Sequence, residues 1–97
     1  MNHPNSFNNA ELTAVCIEGG LDMTTTSIIN SEFVRYEPKT TTFVYNVIAT
    51  EEGSNTICIC ELAVSINDSG MFVAGFAGCP LFESNDMSAI NEVFEEG

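Results

Sequence analysis

Thr40-Thr41-Thr42-Phe43-Val44-Tyr45-Asn46-Val47-Ile48-Ala49-Thr50 reads as a β-strand with two apolar faces. Its β-branched and aromatic side chains suit a pleated surface. The period of two puts Phe43, Tyr45 and Val47 on one face and Val44 and Ile48 on the other. A strand that is apolar on both sides belongs in the interior of a sheet with both faces covered.

On either side of this strand, β-rich segments alternate with turn residues. Thr24 to Tyr36 is rich in Thr, Ile, Phe and Val, with a break expected near Asn30-Ser31, and Glu37-Pro38-Lys39 forms a tight turn with Pro at its second position. Glu51-Glu52-Gly53-Ser54-Asn55 is a loop. Thr56 to Ile66 is the next strand, with Cys58, Cys60, Leu62, Val64 and Ile66 on one face. Asn67-Asp68-Ser69-Gly70 is the strongest turn signal in the chain and leads into a strand from Met71 to Cys79, which Pro80 ends. Gly75 and Gly78 within that last strand point to a bulge or a close approach of another backbone.

Helices are expected at both ends. Leu12, Val15, Cys16 and Gly19 form one stripe of a helix over 10–18, with Asn9 as its N-cap and Gly19-Gly20 as its stop. The alternation of Thr13, Val15 and Ile17 keeps a strand open for the same residues. Ser84-Asn85-Asp86 offers capping oxygens ahead of a helix whose Met87, Ile90 and Phe94 pack on the sheet. Residues 1–8 are polar and aperiodic, so they read as a flexible tail preceding a single domain over 9–97. The fold class is α+β: an antiparallel meander of three to four strands, a C-terminal helix packed on it, and a short N-terminal helix.

Composition bounds the function. The chain has 97 residues, 14 Asp and Glu against two Lys and Arg, a formal charge of −12 and a pI near 4.1. With 44% apolar residues and seven Phe it builds a real core, so disorder is the wrong class. Only 16% of residues are charged, below the roughly 25% of an average domain, so the acidity comes from missing bases. Arg35 and Lys39 alone cannot neutralise a phosphate backbone, which argues against direct nucleic-acid binding and against an anionic membrane surface. The N-terminal residues lack the basic and apolar regions of a secretory signal, and no apolar run approaches the roughly 20 residues of a membrane span. The expectation is a cytoplasmic protein with reduced thiols, in which the sequon Asn67-Asp68-Ser69 carries no glycan.

Catalytic and metal chemistry find little footing. Cys58-Ile59-Cys60 is spaced more tightly than zinc knuckles or thioredoxin-like sites, and a strand points both thiols the same way as Leu62 and Val64. Core thiols are the reading; a site built from cysteine alone needs Cys16 and Cys79 to converge with that pair. His3, the single histidine, lies in the tail, so a nucleophilic Cys or Ser has no base and a transition metal no imidazole. The turn at Asn67 to Gly70 begins a calcium loop without the later bidentate Glu. The expectation is therefore no enzyme, no metal and no cofactor.

What remains is where the acids sit. Two concentrations stand out: Glu83, Asp86, Glu92, Glu95 and Glu96 around the last helix, and Glu51-Glu52 in the loop between strands. In size, acidity and lack of a catalytic motif the chain resembles the small inhibitors encoded by phages and mobile elements. Anti-CRISPR and anti-restriction proteins, some of them DNA mimics, are of this kind. The resemblance is one of type and covers the whole chain without a shared motif. It implies an acidic protein that occupies a basic nucleic-acid-binding site on a host protein, with Phe82, Tyr36 and Phe7 as candidate apolar anchors. The alternative is a small interaction or assembly module, monomeric or homodimeric through a sheet edge or the strand over 71–79.

Overall fold

In the computed structural model, which describes residues 3 to 96 with the side chain of Glu96 left outside, the elements run α1 (Asn9–Glu18), β1 (Thr26–Glu37), β2 (Thr42–Glu51), β3 (Ile57–Ile66), β4 (Phe72–Phe76), β5 (Phe82–Ser84) and α2 (Met87–Glu96). The sheet is an antiparallel meander in the order β1-β2-β3-β4, with β5 paired to β3. β2 lies inside the sheet, as its two apolar faces require.

Each face has its own helix and its own core. On one face Tyr45, Val47, Leu62, Val64 and Ala74 pack with Leu12, Val15 and Cys16 of α1. On the other, Ile48 and Ile59 pack with Ile90 and Phe94 of α2, flanked by Ile57 and Phe82. Met87, expected in the buried stripe of α2, is instead 37% exposed, because the helix meets the sheet through its later turns.

β1 is an edge strand carrying two register shifts, between Ile28 and Asn30 and between Phe33 and Arg35. Ile29 and Val34 are the extra residues, and each shift moves the following side chains to the other face. The result is that Ile28, Ser31, Phe33 and Tyr36 pair opposite the β2 residues Ala49, Val47, Tyr45 and Phe43 that face α1. The break expected near Asn30-Ser31 is the first of these bulges. The β1–β2 turn is set one residue later than its sequence suggests: the Thr41 amide donates to the Pro38 carbonyl, so Pro38 opens the turn, and Thr41 takes the left-handed φ of 51°.

The strand expected over 71–79 is shorter, and a fifth strand follows it. Ala77 and Leu81 both donate their amides to β3 carbonyls, at Glu61 and Ile59, so the residues between them loop out and pairing resumes in β5. Gly78, at φ 70°, and Pro80, which has no amide proton, shape that loop.

α1 is a helix, and the strand alternative is discarded. Its N-cap is Asn8, one residue before the expected Asn9: the Asn8 side chain accepts from the Glu11 amide and the Glu11 carboxylate accepts from the Asn8 amide. Asn9 instead accepts at Oδ1 from the Ser31 hydroxyl, tying the helix to β1. At the other end Gly19 sits directly against β4. A Cβ there would lie 2.6 Å from the Ala74 carbonyl oxygen, so Gly19→Ala must displace helix or strand and is expected to lower stability by about 1–3 kcal/mol in thermal unfolding. An unchanged midpoint would mean that the helix end is not seated as described.

The packed domain starts earlier than Asn9. Phe7 is 4% exposed and meets Phe72 edge to face at 5.7 Å. The buried Tyr45 hydroxyl accepts from the Phe7 amide at 2.9 Å and donates to the Pro4 carbonyl at 2.6 Å. Residues read as tail therefore contribute a core side chain.

Candidate functional site, an acidic end of the sheet

The β2–β3 loop, β5 and the start of α2 converge at one end of the sheet. β5 makes this happen: its pairing with β3 sets Glu83 opposite Cys58, which faces Ala49 across the next ladder. Glu83, Cys58 and Ala49 thus form one row on the face that α1 leaves uncovered at this end, and Glu51 stands one pleat further out on β2. Together with Thr26, Cys60 and Phe76 they line a concavity of about 430 Å³.

The expected site residues fall into two groups, one at this end and one on α2. Glu51 and Glu83 are exposed on the rim of the concavity, and Glu52 is exposed beside them in the loop. Glu92 and Glu95 are exposed on α2, which covers the opposite face. Asp86 is exposed but serves the fold as well, its carboxylate capping α2 by accepting from the Ser88 amide at 2.9 Å. The backbone of Glu96 ends α2.

Both cations lie at the other end. Arg35 pairs across from Val44, and Lys39 belongs to the β1–β2 turn. Seven or more residue steps along β2 separate these positions from Glu51, about 23–30 Å. The two ion pairs among the described residues are both made by Arg35, to Glu37 at 3.2 Å and Glu61 at 3.6 Å. With a screening length of about 8 Å at physiological salt, these cations leave the acidic end uncompensated.

The three expected anchors do not serve it. Phe7 is core, Phe82 is half-buried beneath α2, and Tyr36 lies against Phe43 near the cationic end, with ring centroids 4.6 Å apart. Exposed apolar side chains near the acidic end include Ile29 on β1, Phe76 and Leu81, with Met87 at the start of α2. Leu81 gave no signal in the sequence, since it belongs to a loop whose return to β3 depends on long-range pairing.

The thiols behave as sheet residues in graded environments. All four cysteines are free; Cys16 is buried, Cys58 and Cys60 are half-buried, and Cys79 is exposed in the β4–β5 connection. Burial pushes Cys16 up to about 11 from its ordinary 9.0. Cys60 also rises to about 11, through burial and then the neighbouring Cys58 and Glu83. Cys58 is raised by burial, then by the carboxylates of Glu83 and Glu51 despite an opposing contact with Cys60. Titration with a disulfide reagent near neutral pH should therefore modify Cys79 first, Cys58 and Cys60 more slowly, and Cys16 only on unfolding. Both strongly raised thiols favour the folded state while neutral. That contribution is complete below about 9 and is lost as pH rises towards about 11. Equal rates for all four thiols would contradict this gradient.

Among the described residues no three His, Cys, Asp or Glu side chains are arranged to hold a metal ion. His3 accompanies Phe43, roughly 20 Å of strand from Ala49 and the thiol row. No described helix is long and apolar enough to cross a membrane.

The fold and site define an α+β protein with a helix on each face of its sheet and an uncompensated acidic end. Comparison of the chain with protein-family models, curated proteins and solved structures returns no match.

Proposed function

We propose that this protein is a non-enzymatic inhibitor whose acidic end occupies a basic nucleic-acid-binding site on another protein, in the manner of the small inhibitors of phages and mobile elements. The observation that carries this reading is the separation of charge. Glu51, Glu52 and Glu83 are exposed at one end, with Glu92 and Glu95 exposed on the helix over the opposite face, while Arg35 and Lys39 lie at the other end. Spread evenly, 14 carboxylates over 5707 Å² give about one per 410 Å², too sparse to imitate a duplex. Concentration at one end raises the local field, which steers a basic partner and orients it. Ile29, Phe76, Leu81 and Met87 supply apolar contacts near the acids.

The exposed edge strand β1 carries two bulges and the charges of Glu32 and Arg35, devices that discourage strand addition between copies. A homodimer through that edge is thereby disfavoured.

The test is affinity capture from a nuclease-treated host lysate. Basic nucleic-acid-binding proteins should be retained at ~0.1 M salt and released by ~1 M, as the screening length falls from about 10 to about 3 Å. Retention that is indifferent to salt would overturn the reading.

A further inference from the structure

We propose that the concavity between Glu51 and Glu83 is a socket for one arginine side chain presented by the partner protein; this rests on the reading of the acidic end given above. The lining suits a long cationic side chain. Ala49, Cys58 and Cys60 offer a floor for the aliphatic arm, Phe76, 36% exposed, an aromatic surface to a guanidinium, and Thr26, Thr50, Ser54 and Thr56 hydroxyls around it. The volume of about 430 Å³ admits the whole side chain from the solvent side.

The two carboxylates are placed for a planar, two-sided donor. Glu51 and Glu83 stand two strands and one pleat apart, about 12 Å between Cβ atoms on ordinary sheet spacings. A guanidinium lying between them is within reach of both side chains. Glu83 does lean inward, with Oε1 4.0 Å from the Cys58 sulfur. Neither carboxylate meets a cation of this chain among the described residues, where Arg35 makes both ion pairs at the far end. The upward push that both carboxylates exert on the Cys58 thiol reports the same convergence of negative field. A guanidinium answers it with five donors in a fixed plane, less strongly hydrated than an ammonium, so arginine is favoured over lysine.

The test is a titration of isotope-labelled protein with acetyl-Gly-Arg-Gly-amide, followed by amide resonances. Saturable shifts are expected at Ala49, Cys58, Cys60 and Glu83, with the lysine counterpart bound at least about fivefold more weakly. Glu51→Gln combined with Glu83→Gln should weaken the arginine peptide about tenfold or more, the spectrum elsewhere staying unchanged, because both side chains are exposed. Absence of saturable shifts at these residues, equal affinity for the lysine peptide, or indifference to the double substitution would overturn the socket. Salt-sensitive capture of basic proteins that survives such a failure would leave the acidic-end reading standing without it. A peptide that binds as described while capture shows no basic partner would fail the broader reading alone.

Discussion

Replacing Glu51, Glu83, Glu92 and Glu95 together by lysine should reduce affinity for a captured basic partner by about a thousandfold. An exposed ion pair contributes about 0.2–1 kcal/mol, and a like-charge contact costs more, so four reversals at roughly 1 kcal/mol each remove about 4 kcal/mol. The fold should survive. All four side chains are exposed, none joins an ion pair among the described residues, and the net charge moves from −12 to −4 as each reversal changes it by two. Reversing Glu18, Glu32 and Asp68, which lie on α1, β1 and the β3–β4 turn, moves the net charge to −6 and is the control, to be compared per reversed charge. Its expected loss is within about tenfold, because charges beyond a screening length contribute little. Equal losses of binding free energy per reversed charge in the two variants would mean that total charge, and not its placement, governs binding.

Tyr45→Phe should lower stability by about 1–3 kcal/mol, a fall in the unfolding midpoint of roughly 5–15 °C for a domain of this size. The substitution keeps the ring, which sits edge-on to Phe33 at 5.5 Å, and removes only the hydroxyl. That hydroxyl serves the Phe7 amide and the Pro4 carbonyl at once, and the amide lies in a buried setting. Losing its partner costs more than the mean value of a hydrogen bond. Faster amide exchange at Phe7, ahead of the sheet, is the local signature; a variant as stable as the parent would mean that residues 4–7 contribute nothing to the packed domain.

The contrast between β2 and Phe7 explains how much could be read in advance. Two apolar faces on β2 announce an interior strand covered on both sides, because the strand period is local and the signal repeats across the strand. Phe7 stands alone in a polar segment, and its polar partner Tyr45 lies 38 residues away. β1 is intermediate: its bulges interrupt the alternation visibly near Asn30, yet which residues are extra depends on pairing with β2. β5, three residues between a proline and a helix cap, is too short to carry a period and exists because β3 has an unpaired edge there. The candidate site inherits this division. Exposure of Glu92 and Glu95 follows from the helical period, and the shared face of Cys58 and Cys60 from the strand period. The meeting of Glu83 with Glu51 around one concavity depends on β5 and was not legible.

The central claim is that the acidic end occupies a site meant for nucleic acid, and a displacement titration tests it most directly. A labelled oligonucleotide bound to the captured basic partner is titrated with this protein at constant salt. Complete, stoichiometric release of the oligonucleotide is expected from the parent protein and none from the variant carrying lysine at positions 51, 83, 92 and 95. A ternary complex that retains the oligonucleotide at saturating protein would contradict it.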